Sequence, residues 1–136
     1  MNKSIFLICP VRNATEVQKQ KMEKHISKIE SQGHTIYYPA RDTDQNDGVG
    51  YRICTDNLNA MKAADEIHIF WDPSSTGTLF DLGMAFALKK KLKIVNFEEV
   101  EITRSKSFSN MIRHWQNVSV LGDLISAIAN SPADDM

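Results

Sequence analysis

The residues of this chain best suited to chemistry lie in one short segment, Ser74-Ser75-Thr76-Gly77 leading into Asp81. A hydroxyl-rich loop with one glycine that opens a helix offers free backbone N–H groups and the positive end of the helix dipole, and both favour an anion such as a phosphate. Asp81, about one turn further on, is a candidate nucleophile or general base beside that anion. Each feature also has a plainer explanation. Ser75 or Thr76 can simply cap the helix, and Thr78-x-x-Asp81 has the form of a capping box whose acid suits a first helical turn. Gly83 is harder to set aside, because a glycine inside a helix costs about 1 kcal/mol against alanine, although close packing of helix on sheet is reason enough for it.

Other candidates are spread along the chain. Arg12 follows Cys9-Pro10-Val11, where its planar fork could hold a phosphate. Asp56 and Asn57 fall near the start of a helix if that helix begins near Tyr51. The four histidines look scattered, with His25 on a helix face and His68 in a strand, so neither a metal site nor a Ser-His-Asp grouping is expected. Cys9 and Cys54 have no CxxC or Cys/His spacing and read as buried thiols of a reducing compartment.

The pattern of apolar runs supplies the frame these residues need. Ser4 to Cys9, ended by Pro10, suits a central strand of a parallel sheet covered on both faces. Ala14 to Ser31 is rich in Lys, Glu and Gln, sets Val17, Met22, His25, Ile26 and Ile29 along one helical face, and meets a stop at Gly33. His34 to Tyr38 reads as a second strand closed by Pro39, and Ala40 to Gly50 as a loop. Helical spacing returns at Ile53, Cys54, Leu58, Met61 and Ala64, followed by a third strand from Ile67 to Trp71. Gly77 to Lys91 predicts a helix with Leu79, Leu82, Phe86 and Ala87 at its intervals and lysines at its dipole-negative end. Lys93 to Phe97 is then a fourth strand, and Glu98 to Lys106 a charged connection. Ser107 to Asn130 is mostly helical with Val120, Leu121, Leu124, Ile125 and Ile128 as its core face. The alternation predicts the α/β class: a doubly wound, Rossmann- or flavodoxin-like parallel sheet of about four or five strands flanked by helices. In such sheets ligands bind beyond the carboxyl ends of the strands, which singles out the loops after Cys9 and Trp71.

Composition narrows the partners. The chain has 136 residues, and its 16 basic and 17 acidic side chains leave a net charge of -1, so no global field draws it to nucleic acid or to an anionic membrane. Any anion must be held locally. The run from Ile5 to Cys9 is too short for a signal segment or a membrane span, and a cytoplasmic location is expected.

Taken together, these residues resemble the nucleoside 2-deoxyribosyltransferase superfamily, most closely its branch of deoxynucleoside 5-monophosphate N-glycosidases. The family's catalytic segment, Ser-x-Gly-x-x-x-Glu-Leu-Gly, is similar to Ser75-Thr-Gly-Thr-Leu-Phe-Asp81-Leu-Gly83, with the carboxylate shortened by one methylene. Its first loop is loosely similar to Cys9-Pro-Val-Arg12-Asn13, and its late Ser-x-Met-Ile-Arg segment to Ser109-Asn-Met-Ile-Arg113. The resemblance implies that Arg12, Ser75, Gly77 and Ser109 bind the phosphate, that Asp81 is the catalytic carboxylate, and that Ser109 serves the neighbouring subunit of a homodimer. The family's Asp-Leu, whose acid assists at the sugar and base, is matched by Asn57-Leu58 with Asp56 one place earlier, so Asp56 and Asn57 share that candidacy. Arg41, Asp42 and Tyr51 are plausible neighbours of the base.

The implied function is cleavage or exchange of the N-glycosidic bond of a nucleoside 5-monophosphate, without metal or other cofactor. The alternative is a catalytically weakened nucleotide-binding or sensing module of the same fold, which the changes at Asp81 and Asn57 motivate. Residues 1–131 are expected to form one nucleotide-binding domain and residues 132–136 a frayed tail.

Overall fold

The structure is a computed structural model that describes residues 2–131; the expected tail at 132–136 lies outside the described residues. Four strands, β1 (Ser4–Ile8), β2 (Thr35–Tyr37), β3 (Glu66–Ile69) and β4 (Lys91–Ile94), form one all-parallel sheet in the order β2-β1-β3-β4. The helices are α1 (Glu16–Ser31), α2 (Pro39–Asp42), α3 (Tyr51–Ala63), α4 (Thr76–Ala87) and α5 (Phe108–Ala129), with a 3-10 turn at Phe97–Glu99.

β1 is central because both of its faces are apolar. Ile5 and Leu7 pack with Met22, Ile26 and Ile29 of α1, whereas Phe6 and Ile8 pack with Met61 of α3, Leu82 and Ala85 of α4 and Ile112 of α5. Period-two alternation along the strand thus builds two separate cores. α1 starts at Thr15, where a full capping box joins Thr15 and Gln18. α3 starts after Gly50, whose φ of 89° closes a turn in which the Asp47 carboxylate accepts from the N–H groups of Val49 and Ile53.

Several expected boundaries shift for identifiable reasons. The expected loop after β2 opens with the short α2, because Pro39 presets its first turn and Asp42 accepts from Tyr38 N at 2.8 Å. α4 ends at Ala87, and the lysines expected to finish it lie beyond it. Lys89 turns the chain with a φ of 57°, Lys90 reaches the carbonyls of Lys62 and Ala64 at the end of α3, and Lys91 begins β4. Val17 and Phe86, expected on inner faces, are exposed, Phe86 packing edge-on against Trp115.

The largest correction concerns α5. Its first half covers the sheet edge: Ser119 Oγ and Gln116 Oε1 accept from the β4 amides of Leu92 and Ile94 at 3.0 and 2.6 Å, and Ile112 is fully buried. The expected core face of Val120, Leu121, Leu124, Ile125 and Ile128 is instead 54% to 65% exposed. Geometry explains it. A helix of 22 residues is about 33 Å long, whereas a four-residue strand spans about 13 Å, so the second half of α5 runs past the sheet with nothing among the described residues to pack on.

Candidate functional site

The chain leaves β1 through α1 on one face to reach β2 and arrives at β3, on the other side of β1, through α3 on the opposite face. Because α4, which follows β3, packs on the face opposite α1, the loops after β1 and β3 part company, and this switch point is where a sheet of this kind opens a crevice at the carboxyl ends of its strands. The loop after β3 is held from three sides. Buried Asn96 clamps the Trp71 backbone with bonds of 2.7 and 2.8 Å. The Trp71 indole donates to Ser109 Oγ at 3.2 Å, and Gln18 of α1 donates to Asp72 at 3.1 Å.

At the mouth of the crevice α4 begins. Ser75 is its cap, its hydroxyl accepting from Thr78 N at 3.2 Å, while Ser75 N bonds the Asp72 carbonyl. The N–H groups of Thr76 and Gly77 have no partner among the described residues, and a side chain at Gly77 would meet only open space. Two adjacent unpaired amides at a helix start are what an anionic oxygen requires. The plain capping explanation of Ser75 is thus true and leaves these donors over.

The plain explanation of Asp81 does not survive. With Ser75 as cap, Asp81 is the sixth residue of α4, in its second turn, so it belongs to no capping box and gains little from the dipole. It is only 9% exposed, and its carboxylate has no hydrogen-bond partner among the described residues. Burial alone pushes its pKa from the ordinary 3.8 up to about 7. Its charge in turn helps to raise the thiols of Cys9, at the end of β1, and Cys54, on α3, each chiefly displaced by burial. Those couplings bring the carboxylate within electrostatic reach of the end of β1 and of α3. Cys9 is held near 12 and is therefore an inert thiol; Cys54 is only half-buried. Thr78, three residues before Asp81, carries the one fully enclosed side-chain oxygen without a partner among the described residues. A buried, unpaired ionisable group with a displaced pKa at the rim of a crevice has the marks of a functional residue.

The other candidates divide. Asn57 is buried on α3, where it meets α4, and its Oδ1 accepts from Thr43 Oγ1 at 2.8 Å. Its neighbour Asp56 points away and pairs with Arg52 at 2.6 Å in the partly exposed surface of α3. Arg12 is exposed in the turn after β1. Ser109 is half-buried and tied to the loop after β3 by Trp71 of its own chain. Arg41 and Asp42 bond to each other, and Arg41 also to Ile36 O and Glu30, while Tyr51 is exposed at the start of α3.

Three further groups carry no local signal in the sequence. Thr43 and Tyr37 support Asn57, yet nothing local marks a threonine in a polar loop as buried. Asn96 organises the loop after β3 from the end of β4. The histidines are not all scattered either. His25 Nε2 lies 2.8 Å from His68 Nδ1, and His68 Nε2 lies 2.9 Å from Glu66 Oε1, a chain formed where α1 crosses the sheet. Among the described residues no group of three or more His, Cys, Asp or Glu could hold a metal, and no helix is long and apolar enough to cross a membrane.

The family model of nucleoside 2-deoxyribosyltransferase matches residues 5–118, that is, everything except the ends and the bare half of α5. No curated protein matches. Among solved structures, a 2-deoxyribosyltransferase from the psychrotolerant bacterium Bacillus psychrosaccharolyticus is similar with a TM-score of 0.57 at 22% identity, over 67% of this chain and 70% of that one. The CMP N-glycosidase BcmB of Clostridium botulinum gives a TM-score of 0.48 at 27% identity, over 68% and 67%. The first likeness establishes a shared fold.

Proposed function

Because this chain belongs to the nucleoside 2-deoxyribosyltransferase family, we propose that it breaks the N-glycosidic bond of a nucleoside 5-monophosphate, by hydrolysis or by exchange of the base. The observation that carries the reading is the unpaired, buried carboxylate of Asp81, one helical turn inside the free amides of Thr76 and Gly77. The phosphate is held by those amides with Ser75, Arg12 and Ser109, so that binding energy from the non-reacting end aligns the sugar. An oxocarbenium-like centre developing beside Asp81 meets a carboxylate that no other group has neutralised, and a buried charge stabilises it more strongly than a solvated one would. The positive centre also favours the ionised form of Asp81, drawing its pKa down from about 7 as the reaction proceeds.

A second reading is a nucleotide-binding module that has lost turnover. It is favoured by Asn57, which cannot donate a proton as an acid can, and by Asp56, which is turned away toward Arg52. Incubation with a panel of nucleoside monophosphates, with released base followed by chromatography, separates the two. Base release from monophosphates but not from free nucleosides supports the first reading. Calorimetric binding without release supports the second, and absence of binding removes both.

The bare apolar half of α5 supports a homodimer, since a stripe of this extent is unusual on a lone monomer. Sedimentation of the chain, alone and with Leu121→Glu and Ile125→Glu together, tests it: a dimer that the double substitution dissociates is the expected result.

A further inference from the structure

Thr43 stands between Tyr37 and Asn57. Its hydroxyl donates to Asn57 Oδ1 at 2.8 Å and lies 2.6 Å from Tyr37 OH, and each of the two hydroxyls has one proton to give. With the Thr43 proton on Asn57, the 2.6 Å bond is made by the Tyr37 proton in preference to its longer contact of 3.2 Å with the Asp42 carbonyl, so the chain runs Tyr37 to Thr43 to Asn57. Tyr37 is fixed in turn by stacking on Phe6, with centroids 5.3 Å apart and planes 12° apart. The oxygen of the Asn57 amide is thereby occupied, and Nδ2, with two N–H donors, has no partner among the described residues.

Asn57 is 6% exposed, lies one turn before Met61, which shares a core with Leu82 and Ala85 of α4, and comes one turn after Cys54, whose thiol feels the charge of Asp81. A carboxylate on that side favours an N–H over a carbonyl pointing toward it, so electrostatics and the Thr43 bond select the same orientation.

We propose that Tyr37 and Thr43 are positioning residues that lock the Asn57 amide as a donor into the crevice, and that Asn57 selects a ligand bearing a hydrogen-bond acceptor beside the atom facing Asp81. This deepens the function proposed above and rests on it for the identity of the ligand. The acceptor is a carbonyl oxygen or an unprotonated ring nitrogen flanking the bond to be broken. A developing negative charge there is met by two N–H groups instead of a proton donor. The crevice then contains one ionisable carboxylate, not a pair.

The test has an arm that needs no turnover. In 15N-labelled protein, the side-chain amide signals of Asn57 are followed through a pH titration. They are expected to shift with the ionisation of Asp81, to lose that response in Asp81→Asn, and to lose it in Thr43→Val while Thr43→Ser retains it. Signals that ignore Asp81, or a Thr43→Val spectrum identical to the parent, overturn the proposal whether or not any nucleotide is cleaved. Should Thr43→Val fail to fold, Tyr37→Phe breaks the same chain one step back and must weaken the response. With a cleaved nucleotide in hand, Asn57→Asp is expected to move the acidic limb of the pH–rate profile upward, because a second carboxylate opposes ionisation of Asp81. Thr43→Val is expected to lower kcat about tenfold, with Thr43→Ser restoring it. An unmoved profile in Asn57→Asp overturns the claim that this amide faces Asp81.

Discussion

Two buried ionisable side chains, His68 on β3 facing α1 and Asp81 on α4 against the other face of the sheet, invite comparison. His68 is 1% exposed, and both of its ring nitrogens are engaged, one by His25 and one by Glu66. Asp81 is 9% exposed and is engaged by nothing among the described residues. Burial without water is tolerable for a polar group only when its bonds are made, so His68 is explained by the fold alone. Asp81 is not. The difference singles out Asp81 as the candidate more sharply than burial or charge does by itself, because an unmade bond in a fold is what a ligand can make.

The sharpest way to break this contrast is to remove each group in turn. Asp81→Ala is expected to lower the rate of base release roughly a thousandfold, the order seen when preorganised electrostatic stabilisation is lost. Asp81→Asn should at the same time stabilise the fold at pH 8, by on the order of 1–3 kcal/mol, since it deletes a buried charge that has no partner. Urea unfolding of both variants beside their rates checks the pair of statements. A loss of stability in Asp81→Asn, which leaves no cavity, would mean that Asp81 has a structural partner after all.

His68→Leu should do the reverse. It leaves His25 and Glu66 each short of one bond and is expected to cost about 1–3 kcal/mol in urea unfolding, with the rate of base release unchanged. A fall in rate at unchanged stability would move the histidine chain into the site and dissolve the comparison.

How far these roles can be read from sequence follows from the same contrast. The apolar run Ile5–Ile8 and the capped start of α4 at Ser75 are local signals, and they place β1 and the start of α4 correctly. The helical period of α5 is equally clear, yet whether its face is covered depends on the length of β4, which no helical pattern encodes. The meeting of His25 with His68, 43 residues apart, depends on α1 crossing the sheet over β3. Asp81 was legible as a candidate, but its lack of partners was not, and its place in the second turn of α4 became clear only once Ser75 was seen to be the cap. Composition likewise gave no hint that a threonine from a polar stretch would be buried against Asn57.

Asp81 and the two partners of His68 also oppose each other in their linkage to folding. Asp81 titrates near 7 in the folded chain and at about 3.8 unfolded, so folding takes up a proton between those values and stability rises as pH falls through that window. His25 is held down to about 4, first by burial and then by the charges of His68, Lys93 and Lys28. Folding expels its proton, and stability falls as pH drops from 6.5 toward 4. Glu66, held near 2 by its bond to His68 and by Lys3, adds a further loss as pH falls from 4.5 toward 2. The opposing slopes overlap, so the melting temperature of the parent chain should change little from pH 6.5 to 4.5. Asp81→Asn should expose the downward slope on acidification and His25→Gln the upward one. Parallel curves for the two variants would remove the contrast.

The smallest effect sharpens the comparison most, because Ser75 stands between the two cases: its hydroxyl already has a partner in Thr78 N, and it is also assigned to the phosphate. Ser75→Ala cannot separate these roles, since losing the cap costs about 1 kcal/mol on its own and could disturb the site through α4. Ser75→Gly can, because glycine at a cap costs only a few tenths of a kcal/mol. If Ser75 is a cap and nothing more, Ser75→Gly should melt within a degree or so of the parent and keep its KM for a monophosphate. If the hydroxyl proton, which capping leaves unused, is given to the phosphate, KM should rise about tenfold for the monophosphate and not at all for the matching nucleoside. The second outcome is the one expected here, since accepting from Thr78 N uses only a lone pair of the hydroxyl and leaves its proton free for the ligand.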